Sequence, residues 1–316
     1  MHTSRRWIIL ASSLAITCAT FYVVVRGLDR HIFLQLIATQ SSTWITAAAG
    51  FVLLQIGFAG ARWRAILAAM MRGSPPSPST VQAVFYASVF FNCLPVGTIG
   101  GDVARIWLAR NFALSMNQLV LSVLVDRALV VIALVVLSVF TLPSIDHPLA
   151  VPASLVCAGA LFAGVCGLFL LRPVEVLLGK WRNRRLLHLL LRTVEELLRV
   201  FERGGSIGLG WAVASAMSAT LAAFCIAHSL SIHVGLMPIT AVMSIVSFVA
   251  ALPISFAGWG VREASVVGLL GLLGVDRGSA LILSVEFGII ATLMSLPGGI
   301  VWLLMRQSLR RAVPTV

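Results

Sequence analysis

Four charged residues follow two glycine-rich breaks in an otherwise strongly apolar chain. They are Asp102, Arg105, Arg262 and Glu263. A guanidinium group can hold a phosphate diester through two parallel hydrogen bonds, and a nearby carboxylate can keep it oriented while the site is empty. We therefore predict that these residues bind the charged group of an anionic substrate. The alternative is that they are interfacial side chains that extend to water or fasten the helices together.

Two further acidic residues, Asp126 and Glu286, lie inside apolar stretches. An ionisable side chain costs about 2.5 to 3.5 kcal/mol at the centre of a membrane-spanning helix, so each of them needs a reason. We predict proton or ion coupling, with Glu286 the stronger candidate because it lies deeper in its stretch, whereas Asp126 could instead pair with a neighbouring loop. Asn92 precedes the first Leu-Pro and is predicted to cap a helix end, the alternative being contact with a substrate headgroup.

The segments 81–110 and 238–273 share a pattern that positions these charges. Each begins as an apolar helix, reaches Leu-Pro, runs into glycines and resumes with charged residues. Proline and glycine free backbone groups that lipid cannot satisfy, so such breaks belong inside the protein or beside a watery cavity. We predict two re-entrant or broken helical hairpins. The predicted backbone hinges are Pro95, Gly100, Gly101, Pro253, Gly258 and Gly260.

Composition places the whole chain in a lipid bilayer. Of 316 residues, 59% are hydrophobic and 11% are charged, and the mean hydropathy is +1.01. A crossing helix needs about 20 apolar residues. The sequence predicts an all-α integral membrane protein, with 1–316 forming a single polytopic domain. Its six full transmembrane helices are predicted near residues 7–25, 44–61, 119–142, 151–171, 207–231 and 280–305.

The distribution of basic residues predicts the orientation. With the N-terminus inside, most arginines fall in inner loops and tails, which places both termini in the cytoplasm. The stretch 180–203 alternates leucines with arginines at helical spacing, so we predict an amphipathic connector on the inner membrane face; a sensor of lipid headgroups is the alternative. The net charge of +12 suits anionic lipid rather than nucleic acid, because the basic residues adjoin the spans.

An internal repeat relates the two broken segments. A shift of 158 positions superimposes seven identical residues of 83–103 on 241–261, including both Leu-Pro pairs. Counting spans, the first broken segment is entered from inside and the second from outside, so we predict an inverted repeat of about 44–142 on about 207–305. Inverted repeats with discontinuous helices are the architecture of many transporters.

Motifs for other chemistry are lacking. The five cysteines lie in apolar stretches without metal-ligand spacing, and the chain has no nucleotide-binding fingerprint or metal-binding acidic cluster. We therefore predict no metal, no cofactor and no enzymatic activity.

Three sequence elements carry a family resemblance. They read Phe-Asn-Cys-Leu-Pro-Val-Gly-Thr-Ile-Gly-Gly-Asp-Val-Ala-Arg at 91–105, Val-Asp-Arg at 125–127 and Ser-Phe-Ala-Gly-Trp-Gly-Val-Arg-Glu-Ala at 255–264. The chain resembles the lysylphosphatidylglycerol synthase transmembrane-region family, also called flippase-like membrane proteins. That resemblance implies lipid translocation. Because the chain ends at Val316, without the aminoacyl-transferase domain of the full synthases, no aminoacylation is expected.

The leading hypothesis is a bacterial inner-membrane translocase for an anionic lipid or a lipid-linked glycan. One alternative is a membrane-embedded enzyme that acts on a lipid phosphate, with Asp102 or Glu263 as acid or base. Another is a non-catalytic partner of a glycosyltransferase or of a lipid-trafficking system.

Overall fold

The computed structural model describes residues 40–71, 73–93, 97–161, 163, 185–251 and 260–311; for 97–99, 185–198, 251 and 306–311 only the backbone is described. The predicted span at 7–25 and the predicted hinges Pro95, Pro253 and Gly258 lie outside these residues. Within them the structure is helical, with no strand. The all-α prediction is confirmed.

Ten α-helices account for most of the described chain. They are α1 (Ser42–Met70), α2 (Pro78–Asn92), α3 (Gly97–Leu108), α4 (Met116–Thr141), α5 (Ala150–Leu161), α6 (Arg185–Ser229), α7 (Leu236–Ala251), α8 (Val261–Gly271), α9 (Arg277–Ser295) and α10 (Pro297–Arg311). Short 3-10 turns at Ala109–Asn111 and Leu142–Ser144 follow α3 and α4.

Four stretches of the described residues are long and apolar enough to cross a membrane. They are Ser42–Met70, Met116–Ser144, Arg199–Ser229 and Arg277–Met305. Each overlaps a predicted span, while α5 is a shorter apolar helix at the start of the predicted span 151–171. Large apolar side chains face outward; Phe140, for example, is 75% exposed. The chain is a multi-pass membrane protein.

The first broken segment forms a helical hairpin. Gly101 of α3 lies against the Ser88 carbonyl and the Asn92 side chain of α2, and Arg105 lies 5.2 Å from the Phe85 ring, so the helices run antiparallel. With 15 and 12 residues, α2 and α3 are about 22 and 18 Å long. Neither can cross a hydrocarbon core of about 30 Å alone.

Glycines at the two breaks have different roles. Gly100 and Gly101, predicted as hinges, lie inside α3. A Cβ on Gly101 would come within 2.7 Å of the Ser88 carbonyl oxygen, so this glycine permits close packing of the hairpin. Gly260 directly precedes α8 and has a φ of 86°, a conformation that favours glycine.

The predicted connector does not form a separate helix in its described part. Helix α6 runs without interruption for 45 residues, joining residues of the predicted connector to the following span. Gly204 does not break the helix, because it packs against α1, where an added Cβ would lie 3.0 Å from the Ala69 Cβ. At about 67 Å, α6 exceeds the hydrocarbon thickness, so one end must extend beyond it.

Helices α1 and α6 are antiparallel neighbours along their length. The Trp44 ring stacks on His228 at 5.0 Å, Ser215 Oγ donates to the Gln55 carbonyl at 3.1 Å, and Ala69 meets Gly204 at the other end. Small side chains at these contacts let the helix backbones approach closely, as is common in membranes. The two helices make the most extensive helix–helix contact in the described part of the chain.

Helix boundaries recur along the chain. Adding 158 to the last residue of α1 gives 228, against Ser229 at the end of α6, and adding 158 to the first residue of α2 gives 236, which is Leu236 at the start of α7. These two boundaries agree to within one residue, whereas α6 begins well before the counterpart of the start of α1.

Candidate functional site

Asp126 is the centre of a buried ionic cluster that joins three helices. Its carboxylate accepts hydrogen bonds from Arg62 of α1, at 2.6 Å from Nε and 3.2 Å from Nη2, and from Arg105 Nη1 of α3 at 2.9 Å. All three residues are at most 5% exposed. Buried charges persist only when they are paired and hydrogen-bonded, so this arrangement fixes the relative positions of α1, α3 and α4.

The cluster continues toward an accessible end. Arg105 Nη2 donates to Asp102 Oδ1 at 2.9 Å, and Arg127 Nη2 donates to both Asp102 oxygens at 3.0 Å. The Asp102 and Arg127 side chains are 24% and 39% exposed. We call Arg62, Asp102, Arg105, Asp126 and Arg127 the first cluster. With three arginines and two aspartates in their ionised forms, it carries a formal charge of +1.

Aromatic rings hold Arg105 in place. Its guanidinium carbon lies 5.2 Å from the ring centres of both Trp63 and Phe85. Trp63 is itself fixed, because its Nε1 donates to Ser122 Oγ at 3.2 Å. The buried Arg105 Nε has no hydrogen-bond partner. Arg105 thus keeps one buried donor unused, which is costly unless another group binds there.

A second cluster, formed by Arg262, Glu263 and Ser284, lies where the second broken segment resumes. Glu263 is fully buried and accepts hydrogen bonds from Arg262 Nη2 at 2.6 Å and from Ser284 Oγ at 3.5 Å. It also accepts the Gly260 N–H, closing the first turn of α8. The Glu263 carboxylate therefore stabilises the helix start that follows the break.

The two clusters occupy corresponding positions of the chain. Arg105 contacts Asp126, and Glu263 contacts Ser284; both pairs are 21 residues apart, and the offset of 158 superimposes Arg105 on Glu263 and Asp126 on Ser284. By contact, the counterpart of Asp126 is thus Ser284; Glu286, the acidic residue at a similar place in the second half, lies two residues further along.

Glu286 is not part of either cluster. It accepts a hydrogen bond from Gln40, which lies just before the start of α1, and its Oε2 has no hydrogen-bond partner. This contact places Glu286, and Ser284 two residues away, near the N-terminal end of α1. Arg62 lies in the C-terminal half of α1, so the two clusters lie toward opposite ends of that helix.

Asn92 lies at the junction of the first hairpin, as the last residue of α2. Its Oδ1 points at Gly101 and has no hydrogen-bond partner, so that oxygen caps nothing. The structure therefore brings Asn92 to the hairpin but not into the first cluster.

Sequence reasoning missed three contributors to the clusters, namely Arg62, Arg127 and Ser284. Arg62 counts as a loop charge if the span ends at residue 61, but α1 continues to Met70. The apolar residues after Arg64 were the available signal, because they place Arg62 within a longer helix. Ser284 is identified by its contact with Glu263, which matches the Arg105–Asp126 contact at the offset of 158 and is visible only in the structure.

Metal binding has no obvious location in the described part of the chain, where no group of three or more histidine, cysteine, aspartate or glutamate residues is suitably placed.

A family profile described as "Lysylphosphatidylglycerol synthase TM region" matches residues 9–299 of the chain. The chain belongs to this family. The match to the lysylphosphatidylglycerol synthase TM region covers both clusters and all helices from α1 to α9. No curated protein matches the chain.

Proposed function

We propose that this member of the family is a flippase-like translocase for an anionic lipid or a lipid-linked glycan in a bacterial inner membrane. The observation that carries the proposal is the first cluster, a membrane-embedded ionic network with a formal charge of +1. An intramembrane charge is by default functional. A positive excess beside an accessible arginine suits a phosphate-bearing headgroup.

Binding can proceed by exchange of partners at the accessible end of the cluster. Asp102 holds Arg105 and Arg127 in the empty site. A phosphate arriving there replaces Asp102 as the partner of Arg127 and uses the unpaired Arg105 Nε, so no guanidinium is left without an anion. Asp126 keeps Arg62 and Arg105 in position throughout.

The inverted repeat is the second part of the proposal. Under the offset of 158, α6 is the counterpart of α1, and counterparts that pack antiparallel are related by a pseudo-two-fold axis in the membrane plane. The axis would pass near the contact between Gln55 and Ser215, where the two helices cross. Helix α7 packs against α4, and α2 packs correspondingly against α9 and α10, as such an axis requires. One charged cluster would then serve each leaflet.

The test is lipid translocation in proteoliposomes by variants of the two corresponding residues, Arg105 and Glu263. Arg105→Lys keeps the charge but loses the planar fork, so we expect a fall of about tenfold or more in the translocation rate. Glu263→Gln removes the counter-charge of the second cluster and should also slow transport. The control is Arg110→Gln, which removes an exposed arginine that stacks on Trp107.

Thermal unfolding of each variant separates a functional effect from misfolding. Parental rates for folded Arg105→Lys and Glu263→Gln would show that the clusters are structural. A loss that is equal in Arg110→Gln would show that the effect is not specific to the clusters. Either result would remove the basis for a translocation site at the clusters.

A further inference from the structure

A cavity separate from both clusters opens between α1, the start of α2 and α6. Its volume is about 670 Å³. The floor is made of glycine and alanine from α1 and α6, including Gly60, Ala68 and Gly204. These residues are small because the helices approach closely there: a Cβ on Gly60 would collide with the Gln82 side chain. We call this cavity the α1–α6 groove.

The groove has a basic end. Arg64 and Arg203 line it, and its lining residues include no aspartate or glutamate. Among the described residues, the Arg203 side chain has no hydrogen bond or ion pair, and the Arg64 side chain makes only a 3.4 Å hydrogen bond from Nε to the Pro76 carbonyl. Within that part of the chain, two guanidinium groups therefore line the cavity with no carboxylate paired to either, and an anion is the complementary ligand.

The other end of the groove is apolar. Ile207 and Trp211 follow Arg203 along α6 and are 59% and 37% exposed. Trp211 is held by stacking on Phe58 at 5.6 Å. From Arg203 to Trp211 the helix rises about 12 Å, a length over which a headgroup gives way to acyl chains. A free phosphate would use only the basic end.

We propose that the α1–α6 groove binds an anionic phospholipid, with its phosphate on Arg64 and Arg203 and an acyl chain along Ile207 and Trp211. The groove belongs to one end of the α1–α6 pair only. At the offset of 158, Arg64 corresponds to Ala222 and Arg203 to Ile45, neither of which is charged. The site therefore selects lipid from one leaflet.

The experiment compares lipid retention by native mass spectrometry, with dioleoylphosphatidylglycerol and dioleoylphosphatidylcholine as probes added to the purified full chain. We expect the parental protein to retain phosphatidylglycerol preferentially. Combining Arg64→Gln with Arg203→Gln should weaken that retention roughly thirtyfold, since each basic residue near an anionic surface contributes about fivefold. A matched control combines Arg110→Gln with Arg199→Gln, which removes two exposed arginines outside the groove.

A second variant tests the cavity without changing charge. Ala68→Phe fills the floor of the groove and should also reduce retention of phosphatidylglycerol. Parental retention in the arginine double variant, an equal loss in its control or equal retention of both lipids would overturn the proposal. If glycerol 3-phosphate bound the basic end as effectively as the lipid, that result would also overturn the proposal and would indicate a site for a free anion. Retention does not require transport, so failed translocation with normal retention would count only against the proposed function.

Discussion

The two charged clusters occupy corresponding positions but are built differently. In the first, three of the four ion pairs join different helices, and Arg62 and Asp126 are 64 residues apart. In the second, Glu263 is held by its neighbour Arg262 and by the start of its own helix. Charged residues at corresponding positions therefore have two structural roles: the first cluster joins three helices, whereas the second stabilises the helix start after a break.

The charges at corresponding positions also differ between the two halves. Arg105 corresponds to Glu263, and Asp126 corresponds to Ser284, so a cation faces an anion in one half and an anion faces a hydroxyl in the other. The first cluster has a formal charge of +1, whereas the charges of Arg262 and Glu263 in their ionised forms cancel in the second cluster.

An inverted repeat requires the two halves to face opposite sides of the membrane. Asn111 follows α3, and Leu272 follows α8; both are exposed. In a background without the five native cysteines, Asn111→Cys should react with an impermeant thiol reagent only from the cytoplasmic side, and Leu272→Cys only from outside. Permeabilised membranes, in which both should react, are the control. Labelling of both from one side would exclude the inverted repeat.

The free energy of unfolding distinguishes a cluster that joins several helices from one that makes a local contact. Asp126→Asn leaves Arg62 and Arg105 buried without their shared anion, so we expect a loss of about 3–5 kcal/mol in the free energy of unfolding. Ser284→Ala removes only a 3.5 Å hydrogen bond and should cost less than about 1 kcal/mol. Denaturant unfolding in detergent measures both.

A double variant serves as the control for this effect. Adding Arg62→Gln to Asp126→Asn removes one of the stranded charges and should restore part of the lost stability. Equal losses for Asp126→Asn and Ser284→Ala would contradict the difference between the clusters.

The sequence was informative where one property decides the structure. Continuous apolar stretches predicted four of the spans that the structure describes, because length and hydropathy are sufficient to specify a crossing helix. The first Leu-Pro break likewise predicted an interruption, since α2 ends at Asn92; the second Leu-Pro lies outside the described residues, and α8 begins anew after Gly260.

The sequence did not predict features that depend on packing between helices. Gly204 looks like the end of a connector, yet its packing on Ala69 keeps α6 continuous. Gly101 looks like a hinge, yet its contact with Asn92 makes it a packing residue within α3. Asp126 could be recognised as an intramembrane charge, but its partners Arg62 and Arg105 depend on how three helices pack, which spacing along the chain does not specify.

The last and smallest difference between the halves lies in how their spans begin. Helix α4 is capped by Ser115 in a capping box with Gln118, neither of which titrates, whereas α9 is capped by Asp276. Burial alone would raise the pKa of Asp276, but hydrogen bonds from the Ser279 side chain and from the Ser279 and Gly278 N–H groups lower it below its usual value. Its cap therefore contributes stability above the unfolded-state pKa of about 3.9, and this contribution is lost as the pH falls through the lower folded pKa.

We expect the first turn of α9 to lose at most about 1 kcal/mol of protection against amide exchange on acidification, while the protection of the first turn of α4 stays the same. Asp276→Asn should keep a cap and abolish the pH dependence. An equal response of both helices to acid would show that the effect does not arise from Asp276.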